Sequence, residues 1–125
     1  MDDFGEDIGR NIVDASIKVH TVLGPGLLEN AYETCMVHEL SKRQIEIRRQ
    51  VPLSVEYDGV AIDLGYRLDL LVANSVVIEL KAVEKLLPLH LSQVLTYLKL
   101  GNYRLGFLLN FNVRHMREGI KRVVL

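Results

Sequence analysis

The sequence predicts an α/β fold in which two helices precede a three-stranded meander, a crossover helix and a further strand. Apolar residues recur at helical spacing in three segments. Alternating, β-branched segments follow the second and the third of them, and clusters of glycine, proline and asparagine mark the boundaries. With 125 residues, the chain is expected to form a single domain over residues 1–125.

Two helices are predicted ahead of the sheet. Residues 4–23 carry apolar side chains spaced as one helical face: Ile8, Ile12, Ala15, Val19, Val22 and Leu23. The segment 24–26, Gly-Pro-Gly, ends this helix because neither residue type continues a helix well. A second helix is expected over residues 27–43, with these side chains facing inward: Leu28, Ala31, Tyr32, Cys35 and Leu40.

The strands and the third helix follow. Residues 45–57 and 60–72 alternate as strands around the hairpin signal Asp58-Gly59. Residues 76–81 form the third strand after a turn at Asn74-Ser75. The next helix is expected over residues 88–100, with one apolar face, and the last strand over residues 104–110; the apolar face comprises Leu91, Val94, Leu95 and Leu98.

Two carboxylates and a lysine are predicted to meet on the meander. Side chains two apart on a strand share a face, so Glu79 and Lys81 project together. A three-residue loop at 73–75 would set Asp69 opposite Glu79, whereas a two-residue loop would place them on opposite faces. We therefore expect the three-residue loop, or a bulge that restores the same parity.

This set suits a divalent metal. Asp69 and Glu79 are hard oxygen ligands for Mg²⁺ or Mn²⁺, and the backbone carbonyl of Leu80 can supply a third oxygen. Lys81 can orient a water molecule or stabilise charge on phosphorus. The alternative is a cross-strand salt bridge between an acid and Lys81 on an exposed sheet face.

Further polar residues extend the candidate site. Glu29 is expected in the first turn of the second helix, where an acid also suits the helix dipole. His90, Gln93 and Tyr97 form a stripe opposite the leucines of the crossover helix. The stripe either faces the carboxylates or is the solvated side of an amphipathic helix.

The composition excludes several other classes of protein. A net charge of −1 creates no strong global field toward nucleic acid, and the local basic groups, such as Arg114 with Arg117, are typical of a solvated surface. The single cysteine, Cys35, excludes an internal disulfide, and no zinc spacing or phosphate-binding glycine loop is present. The acidic amino terminus and the lack of a long apolar run predict a soluble, cytoplasmic protein without membrane contact.

The spacing of Gly26, Glu29 and Tyr32 matches the signature of the GxxExxY proteins, a family placed in the PD-(D/E)XK nuclease-like superfamily. The resemblance covers nearly the whole chain and continues in order through residues 23–29, 49–53, 65–72, 77–84, 93–100 and 108–113. It implies a restriction-endonuclease-like core. Leu68 stands where the superfamily name has a proline.

By this resemblance, Asp69 and Glu79 correspond to the superfamily's metal-binding acids, and Lys81 to its catalytic lysine. Glu29 corresponds to an acid on the first core helix, and Gln93 with Tyr97 to a Gln-x-x-x-Tyr motif. The resemblance implies a Mg²⁺- or Mn²⁺-dependent nuclease that leaves 5′-phosphate and 3′-hydroxyl ends, with DNA favoured over RNA.

Two functional hypotheses stay open. One is the nuclease, acting alone, as a homodimer or with a targeting subunit; the apolar C-terminal residues 123–125 are a candidate contact. The other is a catalytically silent module on the same fold that binds nucleic acid or a partner protein. The near-neutral charge favours the second, and the intact set of ionisable residues favours the first.

Overall fold

The structure, a computed structural model, describes residues 3–125, and the first two residues of the acidic amino terminus lie outside this range. Its elements are α1 (Asp3–Leu23), α2 (Glu29–Lys42), β1 (Ile47–Tyr57), β2 (Val60–Val72), β3 (Val76–Lys81), α3 (Pro88–Gly101), β4 (Leu105–Asn110), a 3₁₀ turn (Met116–Gly119) and β5 (Ile120–Val124). The predicted α/β class and element order are confirmed. The strand β5 was not predicted.

The strands form one mixed sheet in the order β1-β2-β3-β4-β5. The strands β3 and β4 are parallel, and α3 connects them. Neighbours elsewhere in the sheet are antiparallel. Val123 is buried on β5, so only Val124 and Leu125 of the apolar C-terminal residues are exposed.

Helices cover both faces of this sheet. One core joins α1 and α2 to side chains such as Leu70 and Ile78. The other joins α3 to Leu71 and Val77, which point to the opposite face. Both faces of the sheet are covered, and β3 is accordingly apolar except for Glu79 and Lys81.

Three side chains predicted to face the core are exposed. Val22 lies in the last turn of α1 and is 73% exposed, and Leu28 lies just before α2 and is 80% exposed. On α3, Leu95 is exposed and Tyr97 is buried instead, beside Val94 and Leu98. The inward face of α3 is therefore turned toward Tyr97 relative to the prediction.

Both predicted hairpin connections are confirmed. Tyr57 pairs with Val60, so Asp58 and Gly59 form a two-residue loop, with φ angles of 53° and 76°. Val72 pairs with Val76, which leaves residues 73–75 as a three-residue loop. In this register, the position after the pair Leu70–Ile78 brings Asp69 to Glu79.

Candidate active site

The alternation of side chains along β3 determines which face of the sheet carries the candidate site. Val77 packs in the core beneath α3, and Glu79 and Lys81 share its parity. Ile78 and Leu80 pack instead toward α1 and α2. Glu79 and Lys81 thus project toward α3, as the sequence predicts for one shared face.

Asp69 links the two strands that carry the candidate residues. Its Oδ2 accepts a hydrogen bond from the backbone N–H of Leu80 at 2.8 Å. The paired positions of β2 and β3 end one residue earlier, at Leu70 and Ile78, so the Asp69 carboxylate takes the place of a backbone acceptor. Asp69 therefore holds the strands together at the point where they diverge.

The carbonyl of Leu80 is directed toward the same space. The N–H and C=O of one strand residue point to the same edge, and the Leu80 N–H points to Asp69. The next carbonyl, of Lys81, points the other way and accepts a hydrogen bond from Phe111 N at 3.0 Å. The predicted third oxygen is thus on the side of the carboxylates.

Glu79 is buried, with a relative exposure of 8%. Burial, followed by the negative charge of Asp69, raises the pKa of Glu79 to about 8, against an opposing effect of Lys81. Glu79 Oε1 is buried without a hydrogen-bond partner among the described residues. A cation between the two acids would offset both their repulsion and the cost of this unpaired oxygen.

Lys81 approaches the acid pair from the same strand. Its Nζ lies 3.8 Å from Glu79 Oε2, too far for a hydrogen bond, and its side chain is about one-fifth exposed. The contact agrees with the ion-pair alternative, but the face is not the exposed one that this alternative assumed. Lys81 is therefore a cation in ion-pair contact with a buried acid.

The donor set fits Mg²⁺ or Mn²⁺. Such ions are commonly bound by one or two carboxylates and complete their shell with water or phosphate oxygens. Among residues 3–125, no group of three or more His, Cys, Asp or Glu side chains converges as a metal site. The fit is to a carboxylate pair with the Leu80 carbonyl, not to a complete protein cage.

Tyr97 is buried on α3, on the face of the sheet to which Glu79 projects. Burial, followed by the negative charges of Glu79, Tyr66 and Asp69, raises the pKa of Tyr97. Gln93 lies one helical turn earlier, is half-buried and lines the same cavity wall as Tyr97. Gln93 makes no side-chain hydrogen bond to the described residues, so its predicted support of Lys81 stays a prediction.

Two other predicted polar residues stand apart from the carboxylates. His90 caps α3, because its Nδ1 accepts a hydrogen bond from the backbone N–H of Leu87 at 2.9 Å. Glu29 is the first residue of α2, is exposed, and makes no ion pair within the described chain. After burial and Asp69, the negative charge of Glu29 also raises the pKa of Glu79.

Sequence reasoning missed a hydrogen-bond network that connects the buried Glu33 to Asp69 through the exposed Gln50. Glu33 on α2 accepts hydrogen bonds from Arg49 Nη2 at 2.9 Å and Gln50 Nε2 at 2.7 Å. The same Gln50 amide lies 3.4 Å from Asp69 Oδ1. Glu33 stands four residues after Glu29, and that spacing is the one available sequence signal.

Asn110 was also missed. Its buried amide pairs with both backbone groups of Val83, accepting from the N–H at 3.0 Å and donating to the C=O at 2.9 Å. Asn110 lies beside Lys81 on the neighbouring strand β4. It therefore fixes the connection that leaves β3 just after the candidate lysine.

The predicted basic group lies elsewhere. Arg114 and Arg117 line a cavity of about 720 Å³ between the end of α1 and the 3₁₀ turn. Glu118 is the one carboxylate among the residues that line it. This cavity therefore lacks the acid pair that a metal centre needs.

The fold and the acid pair agree with the comparison to known families. A family model of the PD-(D/E)XK nuclease superfamily matches residues 6–123. The chain belongs to this superfamily and is a nuclease-like domain. The narrower resemblance to GxxExxY proteins stays a prediction.

A search of curated proteins found no match, and neither did a search of solved structures. Among residues 3–125, no helix has the length and apolar character needed to cross a membrane.

Proposed function

We propose that the chain is a divalent-metal-dependent nuclease that hydrolyses phosphodiester bonds in nucleic acid, with DNA as its substrate. The observation that carries this proposal is the pair Asp69 and Glu79, joined through Leu80 N–H, with Lys81 Nζ 3.8 Å from Glu79 Oε2. Membership of the nuclease superfamily supports the same conclusion.

Asp69, Glu79 and the Leu80 carbonyl would hold Mg²⁺ or Mn²⁺. A bound ion of this kind polarises a phosphoryl oxygen and lowers the pKa of a bound water. Leu80 N–H keeps Asp69 Oδ2 in place, and burial keeps Glu79 in a setting where its attraction to a cation is weakly screened.

Lys81 would orient the attacking water and stabilise negative charge on the phosphoryl oxygens, since its ammonium group offers three donors beside the acid pair. Water adds to phosphorus and releases one proton to solvent, the bond from phosphorus to the 3′ oxygen breaks, and that oxygen takes one proton from solvent. The products carry 5′-phosphate and 3′-hydroxyl ends. Tyr97 and Gln93 would support the scissile phosphate from α3, and Glu29 would act from the rim through its charge.

A cleavage assay tests the proposal. Labelled single- and double-stranded DNA and RNA are incubated with Mg²⁺ or Mn²⁺ and the wild type, Glu79→Gln or Lys81→Ala. Lys99→Ala is the matched control, because Lys99 is an exposed lysine in the last turn of α3. We expect cleavage by the wild type and Lys99→Ala, and a loss of about 10²-fold or more in the other two.

Two results would decide against the proposal. Equal cleavage by Glu79→Gln and wild type would assign the activity to a contaminant. A folded wild type that binds oligonucleotide but cleaves none of them would favour the silent module. A native mass spectrum of the same protein would test for a homodimer, and a missing targeting subunit would be sought only in that second case.

A further inference from the structure

A cavity of about 190 Å³ lies between the β1–β2 hairpin and α3. Its walls include Leu53, Leu64, Tyr66, Gln93, Thr96 and Tyr97. For scale, a closed cavity of about 150 Å³ admits one benzene-sized ring. Tyr97 lines this cavity and packs in the same core as Val77, on the face of the sheet to which Glu79 and Lys81 also project, so the cavity and the acid pair share one face under α3.

Tyr66 gives the cavity an aromatic wall. Its side chain is 54% exposed, and its ring centroid lies 6.0 Å from that of buried Tyr97, at an interplanar angle of 42°. Tyr66 therefore lines the cavity while about half of its surface stays accessible to a ligand. An exposed aromatic ring is apolar surface, and covering it with a bound ligand is favourable in free energy.

The backbone holds Tyr66 in this position. Tyr66 pairs with Leu53, but the next pair joins Ser54 to Asp63, so β2 carries a bulge directly before Tyr66. Gly65 in the bulge has a φ of 81°, and its N–H donates to Asp63 Oδ1 at 2.8 Å. The bulge turns the strand and fixes where the ring points.

The chemistry of the walls suits a nucleobase. Leucine and tyrosine carbons provide the apolar sides, and the amide of Gln93 and the hydroxyl of Thr96 provide hydrogen-bonding groups. Bases stack on tyrosine through their flat faces, and a base edge needs both donors and acceptors. A phosphate group, which is charged and presents only oxygen atoms, would use neither the apolar walls nor the aromatic ring.

We propose that this cavity binds one unpaired nucleobase of the nucleotide next to the scissile phosphate, stacked on Tyr66. The inference rests on the proposed function for the position of that phosphate. A base within a duplex has both faces covered by its neighbours, so the cavity selects nucleic acid in which at least one base is unstacked: single strands, flaps or gaps.

Binding, not cleavage, is the test. A short labelled single strand is titrated by fluorescence anisotropy in Mg²⁺, with Lys81→Ala in every protein so that the strand stays intact. The variants are Tyr66→Ala, Tyr66→Phe and the matched control Tyr57→Ala, an exposed tyrosine on the same hairpin. The affinity of each variant is measured for three kinds of ligand. These are the intact single strand, a series of the same strand in which the single abasic site occupies a different position in each member, and a blunt duplex.

We expect Tyr66→Ala to weaken single-strand binding by about 10- to 100-fold and Tyr66→Phe and Tyr57→Ala to weaken it by less than about threefold. One abasic position should cause a similar loss in the Tyr66-containing protein and no further loss in Tyr66→Ala, because both changes remove the same contact. Duplex binding should not respond to Tyr66→Ala.

Three outcomes would overturn the inference: equal binding by Tyr66→Ala and Tyr57→Ala, additive losses at every abasic position, or no binding of any strand. The cleavage assay on the wild type decides the proposed function separately. Cleavage without a Tyr66 effect would leave a nuclease lacking this base site.

Discussion

The backbone N–H of Leu80 donates to Asp69 Oδ2 at 2.8 Å. A side chain of β2 thus replaces a backbone partner of β3 at the position where regular pairing ends. The same carboxylate is expected to bind the metal, so Asp69 has a structural and a chemical role that substitution can separate.

Asp69→Asn should separate these roles. The asparagine carbonyl can still accept the Leu80 N–H, but the neutral side chain weakens a divalent ion's site. We expect Asp69→Asn to lose metal binding with little change in stability. Asp69→Ala should also lower the free energy of unfolding by about 1–3 kcal/mol, because it leaves the Leu80 N–H unpaired. Urea denaturation compares the two, and equal stabilities would contradict a structural role for this hydrogen bond.

Lys81→Ala should impair catalysis without impairing metal binding. Its ammonium group lies 3.8 Å from Glu79 Oε2 and repels an incoming cation. We expect cleavage to fall by about 10²- to 10⁴-fold, while affinity for Mn²⁺ stays equal or rises. Calorimetry beside the cleavage assay checks this, and a lower Mn²⁺ affinity would make Lys81 a structural partner of the site.

Gln50→Ala should weaken the metal site indirectly. Gln50 bridges Glu33 and Asp69, at 2.7 Å and 3.4 Å. Partners behind a metal ligand typically contribute 10- to 100-fold to affinity, and we expect about 10-fold here because the second contact is long. Gln44→Ala is the matched control, since Gln44 is an exposed glutamine that also has a positive φ, 61° against 50° for Gln50. Equal Mn²⁺ affinities for the two variants would rule out a role for the network.

The metal-free protein should lose stability as the pH rises through the range set by Glu79. The folded pKa of Glu79 is about 8 and its ordinary value is 4.5. Between these values, the folded state keeps a proton that the unfolded state has lost, so unfolding releases a proton and is favoured by higher pH. The slope from this group approaches about 1.4 kcal/mol per pH unit.

Urea denaturation in a chelator, across that pH range, compares the wild type with Glu79→Gln. The glutamine mimics the protonated acid and cannot titrate, so this part of the slope should vanish. Parallel stability curves for the two proteins would contradict the burial and charge environment assigned to Glu79.

The sequence predicted the fold well because its local signals agree with its packing. The alternation around Asp58-Gly59 and the parity of Asp69 and Glu79 fixed the meander, and the structure has the predicted loop at residues 73–75. β5 escaped prediction because it is an edge strand of alternating exposure with charged residues. The inward face of α3 was misjudged because Leu95 and Tyr97 are both suited to a core, and only the sheet opposite decides between them.

The hydrogen-bond network around Glu33 could not be predicted from the sequence. Glu33, Gln50 and Asp69 lie on α2, β1 and β2 and meet only through the tertiary fold. Asn110 likewise acts across the sheet on Val83. The cap that His90 forms with Leu87 was not predicted either, because helical spacing alone does not show which polar side chain caps a helix.

Calorimetric titration of Mn²⁺ tests most directly whether Asp69 and Glu79 form one divalent-metal site. The wild type, Glu79→Gln, Asp69→Asn and the control Lys99→Ala are compared after each is shown to be folded. We expect the wild type and Lys99→Ala to bind Mn²⁺, and Glu79→Gln and Asp69→Asn to lose Mn²⁺ binding. No binding to the folded wild type, even with oligonucleotide present, or full binding by Glu79→Gln, would contradict it.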